Sequence, residues 1–298
     1  MSNTSEHQLP VPMSEHTLGI ILVSASAAVF ALTGVLTKSI TADALVILCW
    51  RGLVGGLLIG AYVLLRSRGA LSAFRLGWRG WLLAVIGCFA SIAFIAAFKY
   101  TYVANVAIIY ATTPFLAGFL GFMLFRERMR GVTMIAAAIS ICGVALMIIS
   151  GAGQGNLFGD TLAFIMTAIF ALYMVLIRKF RDTPAVWAGA VSALLLFVFG
   201  WFATDPLAVT QNDMILLVLF GATMALAVIL WTEGARLLPP PETGLLGSSE
   251  VPFAMLFAWL FLTELPPFAS VVGGAIVLAA VIWHAGRDLR REKIHAIP

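Results

Sequence analysis

The chain has 298 residues, of which 61% are apolar and only 11% are charged, against about half and a quarter in soluble globular domains. This composition excludes an ordinary soluble domain, and the net charge of +4 does not indicate a nucleic-acid partner, because the basic residues lie between apolar runs and are not gathered on one face. All three cysteines lie inside apolar runs, which favours buried thiols over a disulfide framework.

Ten apolar runs are long enough to cross a hydrocarbon core about 30 Å thick. In chain order they predict transmembrane helices at residues 18–37, 44–65, 80–98, 103–125, 132–150, 158–177, 184–203, 214–231, 243–262 and 268–286. The residues before the first run carry no Lys or Arg, and the run itself is too long for the core of a signal peptide. We therefore expect an all-α membrane protein whose first helix is retained.

The Lys and Arg residues are unevenly divided between the two sides of the predicted helices. Fifteen lie on the side that contains both termini, only Lys38 and Lys99 lie on the other side, and Arg51 lies within the second helix. Cytoplasmic loops of membrane proteins carry an excess of Lys and Arg. The distribution therefore predicts that both termini are cytoplasmic.

The sequence contains an internal repeat. Residues 28–36 and 168–176 are identical at six of nine positions, at an offset of 140 residues, and a second match at an offset of 138 superposes Pro114 on Pro252. Each half has five predicted helices, an odd number, so the second half must be inverted relative to the first. Inverted halves can open a central cavity to each side of the membrane in turn. The predicted organisation is a cytoplasmic tail, two inverted five-helix repeats around a central cavity and a second cytoplasmic tail, at residues 1–16, 17–150, 151–287 and 288–298.

Each half opens with a Phe-Ala-Leu helix that ends in a basic residue, Lys38 or Arg178, and each carries a proline followed 12 or 13 residues later by a glutamate, Glu264 or Glu127. With ten helices in two inverted halves, these motifs resemble the drug/metabolite transporter superfamily with its EamA domains. The run 247–254 is most similar to the YddG-type amino-acid exporters. The resemblance implies a secondary transporter of a bacterial inner membrane that exports aromatic and other bulky apolar amino acids by alternating access.

Polar residues with helical spacing predict one wall of the cavity. Asn105 and Thr112 lie seven residues apart, about two turns, and therefore share one helix face. At the offset of 138 their repeat mates are Thr243 and Glu250, so both halves place polar groups on this face. Such groups also hydrogen-bond to neighbouring helices, which leaves a purely structural role open.

Aromatic residues predict the walls that flank the substrate. Phe30 on helix one is mated to Phe170 on helix six, and Thr33 is mated to Tyr173. Rings stack favourably on aromatic substrates, although ordinary helix packing also explains them. The candidate substrate-binding residues are Ser26, Phe30, Thr33, Asn105, Tyr110, Thr112, Phe170, Tyr173, Ser248, Ser249 and Glu250.

Two charged residues lie deep inside predicted helices. Glu250 comes two residues before Pro252, which removes the helical hydrogen-bond donor for the Ser248 carbonyl and predicts a kink or local unwinding. Glu250 either binds a substrate ammonium, or exchanges a proton for substrate, or satisfies the broken helix; intramembrane acids are functional candidates by default. Arg51 either binds a carboxylate, extends towards the interface or pairs with an acid, and structural pairing is the favoured interpretation.

Enzyme functions find little support in the sequence. It lacks a Gly-x-x-x-x-Gly-Lys-Ser/Thr phosphate loop, and its histidines form no acid-base or metal constellation at depth, because His7, His16 and His295 are terminal and His284 ends helix ten. We therefore disfavour an intramembrane enzyme and expect neither a cofactor nor a metal. The expected partners are the lipid bilayer and a small molecule, an amino acid or a related metabolite. A broad-specificity drug exporter and a passive channel remain alternatives, and the sequence is compatible with a monomer.

Overall fold

In a computed structural model of the chain, the structure describes residues 15–68, 74–126, 131–151, 157–238 and 240–295. Within these ranges the regular secondary structure is helical. The helices are α1 (Glu15–Ser39), α2 (Ala44–Arg66), α3 (Gly77–Tyr100), α4 (Val103–Tyr110), α5 (Thr113–Phe125), α6 (Gly131–Gly151), α7 (Leu157–Lys179), α8 (Ala185–Ala203), α9 (Gln211–Ala235), α10 (Pro240–Gly247), α11 (Glu250–Leu262) and α12 (Phe268–His295).

The described helices account for ten membrane crossings. Eight segments are long and apolar enough to span a bilayer, and two shorter apolar segments, Thr133–Leu146 and Ser270–His284, supply the fifth and tenth crossings. The helices α4 and α5 together form the fourth crossing, and α10 and α11 form the ninth. The prediction of an all-α protein with ten crossings is confirmed. The last helix continues to His295, beyond its predicted end, because the charged segment that follows the span is rich in good helix formers.

The fourth and ninth crossings are both broken near their middle. The first piece of each has 8 residues and the second piece has 13. Pro114 and Pro252 follow the two breaks and lack the N–H group that would continue the helical hydrogen bonds. The sequence predicted only the second break, although Pro114 carries the same signal.

Neighbouring groups partner the carbonyls that the prolines leave without their usual helical partner. The Tyr110 carbonyl accepts a hydrogen bond from the Thr113 hydroxyl, and the Ser248 carbonyl accepts one from the Val251 N–H at 3.2 Å. Both breaks therefore remain hydrogen-bonded within the chain, as irregular backbone at membrane depth requires.

The broken helices correct the alignment of the repeats. Every boundary of α4 and α5 recurs 137 residues later in α10 and α11, and not at the offset of 138 that the prolines gave. Pro114 is the second residue of α5, whereas Pro252 is the third residue of α11. The repeat mate of Thr112 is therefore Ser249, and Glu250 is mated to Thr113.

The two repeats exchange equivalent contacts. Helix α1 packs along α9, and its mate α7 packs along α3; α2 and α6 each pack along their own mates, α8 and α12. A glycine permits each end contact: a Cβ atom on Gly19 would lie 2.8 Å from Cγ of Leu238, and one on Gly159 would lie 2.7 Å from Cβ of Thr101. These contacts define a pseudo-twofold axis between the repeats, and the odd number of crossings per repeat makes them inverted.

The bundle is closed more tightly at one end than at the other. At the end that contains Lys38, which we call the Lys38 end, α4 packs against α11 and α1 packs against α3. In the part of the chain that the structure describes, the mates of these pairs, α10 with α5 and α7 with α9, do not pack closely. Equivalent helices thus meet at the Lys38 end and are parted at the opposite end.

Candidate functional site

Four aromatic side chains from three helices meet near the break of the fourth crossing. The ring centroids of Tyr110 and Phe170 are 5.6 Å apart, and Phe94 lies 6.5 Å from Tyr110 and 6.3 Å from Phe170. Tyr173 adjoins Phe170 at 6.5 Å. All four contacts are edge-to-face, the favourable arrangement for aromatic pairs. We call Phe94, Tyr110, Phe170 and Tyr173 the aromatic cluster.

Local structure places each of these rings. Tyr110 is the last residue of α4, directly before the break, and Phe170 and Tyr173 share a face of α7 because they are three residues apart. Each ring is half-buried and therefore retains surface that a ligand can contact. Sequence reasoning identified three of the rings but missed Phe94, because the repeat alignment gave no match at this position in helix three.

Glu250 lies on the second broken helix and faces the aromatic cluster. It is the first residue of α11, it is half-buried, and its carboxyl is close enough to Tyr110 for an electrostatic interaction. Its side chain makes no hydrogen bond or ion pair with any residue in the described ranges. A helix N-terminus favours negative charge, but this acid has no cation beside it.

The serines before Glu250 stabilise the end of α10. The Ser248 hydroxyl donates to the Leu245 carbonyl at 2.9 Å, and the Ser249 hydroxyl donates to the Leu246 carbonyl at 2.6 Å. Each hydroxyl oxygen can still accept a hydrogen bond, because a hydroxyl has two lone pairs. The break therefore offers acceptors next to Glu250.

Three of the predicted polar residues direct their side chains to groups within the bundle. Ser26 donates to the Ala227 carbonyl at 2.8 Å, and Thr112 donates to a carbonyl of its own helix at 2.7 Å. The Asn105 amide donates at 3.0 Å to Asp160, which is 0% exposed. Their hydrogen bonds join helices or close a helix end, which corresponds to the structural interpretation left open above.

The predicted residues of helix one lie apart from the aromatic cluster. Phe30 is half-buried and Thr33 is buried. Among the ring contacts of the described residues, none involves Phe30. The structure thus brings together Tyr110, Phe170, Tyr173 and Glu250, and it does not join Phe30 or Thr33 to them.

Arg51 has no acidic partner, in contrast to the pairing that was favoured from the sequence. Its guanidinium lies 5.4 Å from the ring centroid of Phe220 on α9, a favourable cation–π arrangement. Among the described residues no carboxylate or hydrogen-bond acceptor contacts it.

An ion pair crosses the closed end of the bundle. Lys38 Nζ lies 2.5 Å from Glu264 Oε2, and the other oxygen of Glu264 accepts the backbone N–H of Val103 at 2.6 Å. The residue matched to Glu264 in the first repeat is Glu127, which lies outside the described residues. Sequence reasoning expected Lys38 and Glu264 to end their helices separately, whereas the fold joins them.

Two inverted repeats, paired broken helices and an unpaired acid beside aromatic rings at membrane depth define the class of secondary transporters. Comparison with known families agrees. The EamA-like transporter family matches residues 17–149 and 157–285, which is most of the chain. The chain belongs to this family, and it is a transporter and not an enzyme.

Two relatives and one solved structure are similar to the chain. An uncharacterized transporter of Bacillus subtilis (strain 168), YetK, is 28% identical over 64% of this chain and 62% of its own length. A protein of Streptantibioticus cattleyicolor described as a probable terminal-alkyne amino-acid exporter is 28% identical over 64% of this chain and 67% of its own length. The match thus spans less than two thirds of YetK. A crystal structure shares the fold with a TM-score of 0.66 at 20% identity, covering 93% of this chain and 99% of that chain.

Proposed function

We propose that this protein exports amino acids with aromatic or other bulky apolar side chains across a bacterial inner membrane, by alternating access. The observation that carries this proposal is the unpaired carboxyl of Glu250 beside the aromatic cluster. An unpaired acid at membrane depth is costly, so a ligand that supplies a cation stabilises it.

The two parts of the site suit the two ends of such a substrate. A substrate ammonium binds the Glu250 carboxylate and the oxygen acceptors of the neighbouring break, through charge-assisted hydrogen bonds. The side chain of the substrate packs against the half-buried rings of Tyr110 and Phe170, where apolar surface and edge-to-face contacts favour an aromatic group.

The uneven closure of the bundle fits the direction of transport. With both termini in the cytoplasm, the Lys38 end faces outward and the parted end faces the cytoplasm. An exporter loads its substrate from the cytoplasm, so this conformation is the loading state. Release requires the two ends to exchange their closure, which inverted repeats permit.

One relative supports an amino acid as the substrate, since it is described as a probable terminal-alkyne amino-acid exporter. A broad-specificity drug exporter would share the aromatic cluster but would not require the α-ammonium and carboxylate together. A passive channel would need no change of closure. Both alternatives are outcomes of the following experiment.

The test is counterflow in proteoliposomes that contain the purified protein. Vesicles are loaded with unlabelled phenylalanine and diluted into a trace of the labelled compound, with protein-free vesicles as the control. Transient accumulation of label supports a carrier of amino acids. Counterflow with ethidium but not with phenylalanine would establish a drug exporter, and non-saturable flux without accumulation would establish a channel.

A further inference from the structure

Arg51 is a buried cation without a counter-ion. It lies about two turns inside α2 and is only 5% exposed. Its Nε atom is enclosed and has no hydrogen-bond partner. The two terminal nitrogens also form no hydrogen bond with the described residues, yet they are not among the fully enclosed atoms. The tip of the guanidinium therefore adjoins accessible space inside the bundle.

The surroundings of Arg51 lead to the aromatic cluster. Its closest ring neighbour, Phe220, belongs to an apolar core that includes Ile95 of α3 and packs against Phe94. Phe94 is itself in contact with Tyr110 and Phe170. Arg51 thus lies one layer of side chains from the proposed substrate site.

The physical state of Arg51 points to a missing anion. Arginine remains charged at all physiological pH values, and an unpaired guanidinium at membrane depth costs at least a few kcal/mol. The ring of Phe220 offsets part of this cost through the cation–π contact, but it accepts none of the five N–H groups. A carboxylate can accept two of them at once.

We propose that Arg51 is a substrate-binding residue that pairs with the carboxylate of the transported amino acid. The inference rests on the proposed function and adds to it the second charged group of the substrate. Glu250 then selects for an ammonium and Arg51 selects for a carboxylate, so the transporter distinguishes amino acids from amines and from apolar cations. A site with hydrogen-bonding groups that expect a partner rejects analogues that lack it.

The experiment compares phenylalanine with phenylalaninamide, which retains the ammonium and the ring but has a neutral amide in place of the carboxylate. Each compound competes with labelled phenylalanine in the counterflow assay. In the wild type, we expect phenylalaninamide to compete about tenfold or more weakly than phenylalanine, as the loss of charge-assisted hydrogen bonds implies. In Arg51→Gln, we expect the apparent affinity for phenylalanine to fall by about the same factor, and the affinity for phenylalaninamide to stay unchanged.

Two further variants control the result. Arg51→Lys retains the positive charge and should keep part of the preference for the carboxylate, which a role in packing alone does not explain. Arg181→Gln removes a cation from an exposed position at the end of α7 and should leave both affinities unchanged. If Arg51→Gln does not fold, the comparison of the two compounds on the wild type and on Arg51→Lys still decides.

The failures of the two proposals differ. Equal competition by phenylalanine and phenylalaninamide in the wild type, or an undiminished preference for phenylalanine in Arg51→Gln, would overturn the role of Arg51 and leave the proposed function standing. If neither compound competes in the wild type, the proposed function fails, and the role of Arg51 fails with it.

Discussion

Lys38 and Glu264 form an ion pair with an N–O distance of 2.5 Å, although they are separated by 226 residues and belong to opposite repeats. The second oxygen of Glu264 binds the N–H of Val103 at the start of α4. One carboxylate therefore connects α1, α4 and the link between α11 and α12. A charge-assisted pair between the two repeats holds the Lys38 end closed.

Replacement of Glu264 by Gln should weaken this closure. A single cysteine in place of Thr37, which is 0% exposed in α1, should react with a water-soluble maleimide about tenfold faster in the Glu264→Gln background, because charge-assisted hydrogen bonds are lost. The three native cysteines are removed beforehand. Asp182→Asn, at an exposed position, is the matched control, and an unchanged labelling rate in Glu264→Gln would show that the ion pair does not hold the end closed.

Replacement of Glu250 by Gln should impair substrate binding. The carboxylate is lost while the shape of the side chain is retained, so the apparent affinity for phenylalanine should fall about tenfold or more. Counterflow measures the affinity, across a range of pH values and after equal folding has been confirmed. Glu242→Gln serves as the control, because Glu242 contacts His16 at the end of the bundle. Unchanged affinity, rate and pH profile in Glu250→Gln would leave Glu250 with a structural role only.

Gly159→Ala should destabilise the bundle. A Cβ atom there would lie 2.6 Å from the backbone oxygen of Tyr100, and backbone cannot move aside as a flexible side chain can. Overpacking of this kind lowers the free energy of unfolding by about 1–3 kcal/mol, which unfolding in mixed micelles measures. Gly244→Ala is the control, since nothing lies within 4 Å of its added Cβ atom. Equal stability of the two variants would contradict the close approach of α7 and α3.

The predicted topology can be tested with one cysteine on each side. Asp182 lies in the exposed link between α7 and α8, and Asp205 lies in the exposed link between α8 and α9. If the termini are cytoplasmic, an impermeant maleimide should label Asp205→Cys in intact cells and label Asp182→Cys only after the membrane is opened. The reverse pattern would invert the orientation.

The sequence predicted the number of helices and their repetition, because span length and the positions of apolar residues are local properties. It predicted one of the two helix breaks from Pro252 and aligned Pro114 without drawing the same conclusion. The alignment on prolines was displaced by one residue, because the prolines occupy the second and third positions of their helices. Packing fixes the register of the repeats, and a proline tolerates either position in the first turn.

The candidate site was predicted only in part. Phe170 and Tyr173 were identified by their spacing, but Phe94 comes from another helix, and the sequence does not specify which faces of two helices meet. Asn105 has the spacing of a cavity residue, yet the fold brings it to Asp160, which lies 55 residues away in the first turn of α7. A polar residue in a membrane helix has several possible neighbours, and only the tertiary fold selects among them.

The equal lengths of the broken helices have a geometric consequence. Because α4 and α5 correspond residue for residue to α10 and α11, each repeat provides a template for the conformation that the other adopts in the opposite state. Exchange of the two conformations brings α5 against α10, draws α4 away from α11 and separates Lys38 from Glu264. The coordinates of this single state therefore contain a description of the outward-open one, and distances between spin labels on α5 and α10 should shorten when it forms.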